Sequence, residues 1–355
     1  MSLFEATLKK IVPQDQLARA KARERLSQLT MPFWALGRLM DLAEDLAGMS
    51  RSLKPPVARK AIVVMAADHG VAAAEGVSKY PQEVTGQMVK NFVAGGAGIN
   101  VLARLVGAQV VVVDLGVASD LSLLAREGKI ISKSMGYGTG NIACGPAMSR
   151  QQALQCLEAG VEVALELAPA VDLFGTGDMG IGNTTPSSAI IAALGGFQPA
   201  EITGRGTGID NQQWRHKVSV VQKALEVNQP DPTDPLDVLA KVGGFEIGGI
   251  AGLILGAASV RKPVLVDGFI STAAALVAQR LSPQAADYMI AAHRSMEQGH
   301  RKALEVLGKK PLLDLDLRLG EGTGAALAMN LVEAAVRIMT EMATFEEAEV
   351  SQAKG

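Results

Sequence analysis

The spacing of apolar and polar residues divides the chain into helical ends and a middle of alternating strands and helices. After Pro13, Ala18, Ala22, Leu26 and Leu29 recur at helical spacing among charges. Residues 31–49 repeat the pattern with Trp34, Leu36, Leu39, Met40, Leu42 and Leu46, and a polar connector containing Pro55-Pro56 follows. Short runs rich in β-branched residues come next: Ala61-Ile-Val-Val-Met65, Val110-Val-Val-Val113, Val171-Asp-Leu-Phe174 and Pro263-Val-Leu-Val266. Most are continuously apolar rather than alternating, as expected of strands buried on both faces of a parallel sheet. Helices are predicted between them at residues 83–105, 149–167, 186–194 and 271–279. From residue 282 onward the chain reads as helical again, through 324–342 to a final short helix opened by the capping-box pattern Thr344-Phe-Glu-Glu347.

This alternation predicts an α/β fold with an open, doubly wound, mostly parallel sheet; a barrel is the alternative. Helical material from both ends is expected to form a small domain, residues 1–30 plus 301–355, beside an α/β domain spanning 31–300. No internal repeat of fixed period is present.

Composition narrows the function classes. With 34 Lys+Arg against 36 Asp+Glu, the 355-residue chain has no basic excess to displace phosphate counterions, which argues against a nucleic-acid partner. Hydrophobic residues make up 48%, enough for a sizeable core. The longest uncharged run of apolar and small residues, 247–260, is closed by Arg261-Lys262 and falls short of the roughly 20 residues a membrane span needs. The opening MSLFEATLKK has no signal-peptide core. Cys144 and Cys156 are too few for a disulfide framework and are read as buried packing residues. A cytoplasmic protein with no membrane partner is expected. The 38 glycines against 13 aromatics cluster in short motifs, a sign of backbone approaching a ligand or another element closely.

Each strand candidate runs into a turn bearing a carboxylate: Asp68-His69-Gly70, Asp114-Leu-Gly116, Gly175-Thr-Gly-Asp178-Met-Gly180 and Asp267-Gly268-Phe269. In an open parallel sheet these turns share the carboxyl edge, where ligands bind; caps and turns account for some of the acids. The third turn matches the dinucleotide fingerprint G-x-G-x-x-G, but the second strand that should follow is replaced by the turn Gly195-Gly-Phe-Gln-Pro199. The motif continues instead as Gly180-Ile-Gly182-Asn183-Thr184-Thr185-Pro186, whose backbone N–H groups and hydroxyls at a helix start suit a phosphate. A second loop, Thr203-Gly204-Arg205-Gly206-Thr-Gly208, adds Arg205, then Asp210 and Lys217. Together they read as a monophosphate or ribose-phosphate site, and the lack of a Walker A motif argues against ATP. In Leu319-Gly-Glu321-Gly-Thr-Gly324, flanking glycines leave one carboxylate unshielded, to be aimed into a cleft as a base or to stand solvated at a helix start. His69 reads as a hydrogen-bond partner behind the site, and His293 and His300 as seven apart on one helical face. None forms a metal-binding pattern, so no metal or cofactor is expected.

Longer motifs carry a family resemblance: Tyr80-Pro-Gln-Glu-Val-Thr85, Gly140-Asn-Ile-Ala-Cys-Gly-Pro-Ala-Met-Ser-Arg150, Gly180-Ile-Gly-Asn-Thr-Thr185, Lys241-Val-Gly-Gly-Phe245, Val266-Asp-Gly-Phe269 and Arg318-Leu-Gly-Glu-Gly322. Over nearly its whole length the chain resembles the nicotinate-nucleotide:dimethylbenzimidazole phosphoribosyltransferases, which assemble the lower ligand of cobalamin. The resemblance implies a homodimer with small-molecule substrates, nicotinate mononucleotide and a benzimidazole-type base. It puts the general base at Glu321 and the nucleotide phosphate at Gly180, Gly182, Asn183, Thr184, Thr185, Gly204, Arg205, Gly206 and Lys217. Ser78, Tyr80, Gln87 and Met88 fall in the base pocket, and Asp210, Asp267 and Leu319 are further substrate contacts. Many members carry glutamate where this chain has Asp178, which keeps the charge and shortens its reach by one methylene. Two other readings of the glycine loops are an NAD-dependent oxidoreductase and a non-catalytic nucleotide-binding module.

Overall fold

A computed structural model describes residues 2–206 and 208–351. Six strands form one all-parallel sheet: β1 (Lys60–Ala67), β2 (Ala108–Gly116), β3 (Ile131–Ser132), β4 (Leu173–Met179), β5 (Val264–Val266) and β6 (Met289–Ala291). Their order is β3-β2-β1-β4-β5-β6, an open sheet and not a barrel, and the direction of winding reverses between β1 and β4. The carboxyl ends of these two central strands therefore diverge around a crevice, the usual place for a ligand in a doubly wound fold.

Side-chain alternation along β1 shows how the sheet is covered. Ile62 approaches Gly322 and Gly175 on the face packed by the helix Thr323–Glu341, while Met65, of opposite parity, meets Gly249 of the helix Phe245–Ser259. The helix Phe245–Ser259 is apolar all round because it is buried all round: strands lie on one side and the helix Arg150–Leu167 on the other. Gly160 and Gly252 let those two helices touch backbone to backbone. Among the described residues, no helix is long and apolar enough to cross a membrane. At the chain's start, the helices Gln16–Ser27 and Arg38–Ser50 pack on each other and on Thr323–Glu341.

Several elements differ from the pattern-based reading. The third strand does not stop at Phe174: β4 continues to Met179, so Gly175-Thr-Gly-Asp178 is strand and no dinucleotide turn forms. Glycine is tolerated within this strand because a Cβ at residue 175 would strike Ile62 and one at 177 the Glu321 backbone. The span 83–105 is two helices, Val84–Ala94 and Gly98–Val106, parted where Gly95 takes a positive φ. Residues beyond 282 include β6 and long irregular stretches as well as helix; His293 follows β6 while His300 starts the helix His300–Leu307, so the two are not on one helical face. Thr344 and Glu347 exchange capping-box hydrogen bonds, but turns rather than an α-helix follow. Cys156 is buried as expected, whereas Cys144 is exposed.

Candidate active site

A cavity of about 460 Å³ opens at the carboxyl ends of β4, β5 and β6, walled on one side by Val77 to Met88 of the connection that follows β1. Glu321 lines it from a turn in which Gly320, Glu321 and Gly322 have φ of 80°, 62° and 93°. Holding a glutamate in the left-handed region costs on the order of 1–3 kcal/mol and persists only where the surroundings enforce it. Here they do. Asp267 accepts hydrogen bonds from the N–H groups of Ala325 (2.8 Å) and Gly322 (3.3 Å), and the Thr323 hydroxyl donates to the Gly320 carbonyl (2.8 Å). The Glu321 carbonyl rests on Gly177 of β4, where a Cβ would come within 2.5 Å of it. The side chain is thereby directed inward, and the residue is only 6% exposed. Its Oε2 accepts the N–H of Ile99 (3.0 Å), in the first turn of the helix Gly98–Val106, where the helix dipole favours a carboxylate. Burial raises the Glu321 pKa above the ordinary carboxylate value, and the Ile99 bond opposes that rise.

The residues from Gly180 to Thr184 line the same cavity, with the helix Thr184–Gly195 starting in it. Its approach is fixed at two points: the Ile181 N–H donates to the Thr85 hydroxyl (3.1 Å), and the Asn183 amide to Asp178 (3.0 Å). Lys217, 1% exposed, reaches in from the helix Asn211–Asn228 and donates to the Thr184 hydroxyl (2.6 Å). Burial pushes its ammonium down to about 8, against the attraction of Glu297. A buried cation, a hydroxyl and a helix N-terminus on one wall have the chemistry to hold an anion.

Asp178, in the cavity wall, and Asp267, behind it, are buried acids close enough to interact. Burial first, then the charge of Asp267, pushes Asp178 up to about 8; Asp267 is pushed up to about 7 by burial, against its backbone hydrogen bonds. Asp178 faces the cavity, while Asp267 braces the Glu321 turn.

Of the residues singled out from sequence, Ser78, Tyr80, Met88, Asp178, Gly180, Gly182, Asn183, Thr184, Gly206, Lys217, Leu319 and Glu321 meet in this cavity. The others lie around it. Gln87 is exposed on the helix Val84–Ala94, and Thr185 is buried beneath the helix start. Gly204 packs against the Glu297 carboxylate, and Arg205 bonds Asn211 and the Ile209 carbonyl (3.0 Å) beside a separate depression. Asp210 caps its helix by accepting from the Gln213 N–H (2.9 Å). Thr207 of that loop lies outside the described residues. Sequence reading misses Phe269, His293, Ser295, Glu297 and Arg318 as lining groups. Reading the segment 292–299 as helix conceals that it follows β6 and crosses the same sheet edge; recognising Met289–Ala291 as a strand is the missing signal. Among the described residues no cluster of three or more His, Cys, Asp or Glu is arranged to hold a metal ion.

A phosphoribosyltransferase family model matches residues 11–350. The chain is 65% identical, over all of both chains, to the nicotinate-nucleotide–dimethylbenzimidazole phosphoribosyltransferase of Syntrophotalea carbinolica. It is 57% identical to that of Desulfotalea psychrophila, with 99% of each chain covered. Crystal structures of the corresponding phosphoribosyltransferase and of CobT, both from Thermus thermophilus, superpose with TM-scores of 0.90 and 0.91 at 46% and 47% identity, covering 96% and 95% of this chain and all of theirs. The full-length match, the shared fold and the cavity at the sheet's carboxyl edge agree: this chain belongs to the nicotinate-nucleotide–dimethylbenzimidazole phosphoribosyltransferase family.

Proposed function

We propose that the protein transfers the phosphoribosyl group of nicotinate mononucleotide to 5,6-dimethylbenzimidazole or a related base, giving α-ribazole 5'-phosphate and nicotinate for cobalamin assembly. One observation carries this reading: a buried carboxylate, Glu321, is held by a strained turn in the wall of the cavity that also contains the Lys217–Thr184 anion site. The nucleotide phosphate is bound by Lys217, Thr184 and the backbone from Gly180 onward. The flat base lies against Met88, Val84 and Leu319, with Ser78 and Tyr80 at its edge.

In the bound nucleotide the pyridinium is already cationic, so C1 of the ribose is primed for displacement. Glu321 takes the ring N–H proton of the benzimidazole as its other nitrogen attacks C1. The C1–N bond to the pyridinium breaks, and its electron pair returns to the ring as neutral pyridine nitrogen. Attack opposite the leaving group inverts a β-nucleotide to an α-ribotide. A placed base contributes about 10²–10⁴-fold and alignment of the two rings the remainder. The raised pKa of Glu321 moves it toward the operating pH, which suits a base that must also release its proton. A homodimer is part of the same proposal, supported by the exposed Val101 and Leu105 on the helix that holds Glu321; light scattering on the purified protein tests it.

Incubation with nicotinate mononucleotide and dimethylbenzimidazole, followed by chromatography, tests the reaction. Nicotinate and α-ribazole phosphate should appear in equal amounts. Nicotinate without a ribotide points to another acceptor, and no release with any base points to a binding module.

A further inference from the structure

Behind the phosphate loop lies a buried pair that the proposed reaction does not use. His69, directly after β1, and Glu246, in the first turn of the helix Phe245–Ser259, meet at 2.7 Å between Nε2 and Oε1, with both side chains 0% exposed. Two glycine backbones sandwich the pair. A Cβ on Gly180 would strike the Ala67 carbonyl at 2.4 Å and stand 3.1 Å from His69 Nε2 and 3.3 Å from Glu246 Oε1. One on Gly244 would stand 2.5 Å from His69 Cε1 and 2.7 Å from Glu246 Oε2.

Neither glycine is there for turn geometry: Gly244 has extended backbone (φ −147°, ψ 153°), and Gly180 is not in the left-handed region. Gly244 needs clearance for the pair, and Gly180 for the Ala67 carbonyl of β1 as well as for the pair. Stability alone is a poor reason to keep it, because His69 Nδ1 and Glu246 Oε2 are buried without partners, and a well-packed apolar pair would avoid that desolvation. What the pair does have is contact with Gly180, the first residue of the loop that lines the cavity.

We propose that His69 and Glu246 are positioning residues: their hydrogen bond is a rigid seat for Gly180 and sets the register in which residues 180–184 close on the nucleotide phosphate. The front of the loop is held by Thr85 and Asp178, and the seat holds it from behind. Asp68 and Asp178 are the other charged groups facing His69. This inference rests on the loop being the phosphate site.

The test measures KM separately for nicotinate mononucleotide and dimethylbenzimidazole. Glu246→Ala, confirmed folded by circular dichroism and melting, should raise the nucleotide KM about tenfold or more while leaving the base KM within about twofold. Glu246→Gln, which keeps the shape and the bond to a neutral His69, should restore it to within about threefold. Should Glu246→Ala not fold, Gly244→Ala displaces the pair toward the loop without removing a polar group and should raise the same KM. A folded Glu246→Ala, or in its place Gly244→Ala, with an unchanged nucleotide KM overturns the proposal, as does Glu246→Gln losing as much as alanine. Lys217→Met run in parallel separates the two levels. If it too leaves the nucleotide KM unchanged, the phosphate-site reading has failed; if it alone raises that KM, only the seat has failed.

Discussion

Replacing Lys217 with methionine keeps an unbranched side chain one atom shorter and removes its charge. A hydrogen bond to a charged group is worth about 1.5–3 kcal/mol, so kcat/KM for nicotinate mononucleotide should fall about 10- to 150-fold. The pH profile gives a second signature. Burial holds the Lys217 ammonium near 8 in the free protein. Above that pH the free enzyme loses its cation, so wild-type kcat/KM should decline about tenfold per unit, while kcat, set in a complex whose phosphate favours the ammonium, holds to higher pH. The variant should lack that limb.

Stability should move the other way. The folded value near 8 lies below the ordinary lysine value of 10.5, so the unfolded chain binds more protons between them, and stability rises with pH across that window. Below it, keeping the ammonium buried costs roughly 3 kcal/mol. Lys217→Met removes that cost but loses the Thr184 bond and leaves Glu297 without its cation, so its melting temperature at neutral pH should match or exceed the wild type's. Steady-state kinetics from pH 6 to 10 and melting curves provide the data. A wild-type profile that stays flat above pH 8, or a variant with unchanged nucleotide KM, refutes the anion site.

Other groups give distinct outcomes. Gly177→Ala should lower kcat and cost about 1–3 kcal/mol, seen by urea unfolding, because its Cβ would press on the Glu321 carbonyl. Asp267→Ala strands the N–H groups of Gly322 and Ala325, so it should lose about 1–3 kcal/mol of stability and lower kcat with little change in either KM. Asp178, pushed up to about 8, is mostly protonated at pH 7, so Asp178→Asn should melt close to the wild type and keep activity within about tenfold, read by the same product assay. On the acid side, kcat/KM for the benzimidazole should fall as Glu321 is protonated, at a pH above that of an ordinary glutamate because burial raises its pKa.

The parts of the fold legible in sequence are those where one periodicity dominates. β1 and β5 are apolar runs buried on both faces, β2 is an apolar run buried over its second half, and the helix Arg150–Leu167 begins at a Ser149–Gln152 capping box. β3, with two residues, is too short to show any period, and β6, Met289-Ile-Ala291, lacks the valines that mark the equally short β5 and so hides the segment that brings His293 and Glu297 to the cavity. The pattern ends β4 early because Gly175 and Gly177 read as a turn; only contact with Ile62 and the Glu321 backbone explains glycine in a strand. At the site, glycines flanking Glu321 announce an aimed carboxylate, yet they do not show that the glutamate itself takes a positive φ or that Asp267 holds the turn. The second glycine loop looks like part of the phosphate cradle, but only Gly206 of Gly204, Arg205 and Gly206 lines the cavity; Gly204 and Arg205 face Glu297 and Asn211, tertiary partners that local spacing does not reveal.

The most direct test of the central claim is Glu321→Gln, which keeps the size and the Ile99 contact but cannot accept a proton. Nicotinate release in the presence of dimethylbenzimidazole should slow about 10²–10⁴-fold, while equilibrium binding of nicotinate mononucleotide stays within about threefold of wild type. Wild-type turnover by a folded Glu321→Gln protein contradicts the assignment of Glu321 as the base.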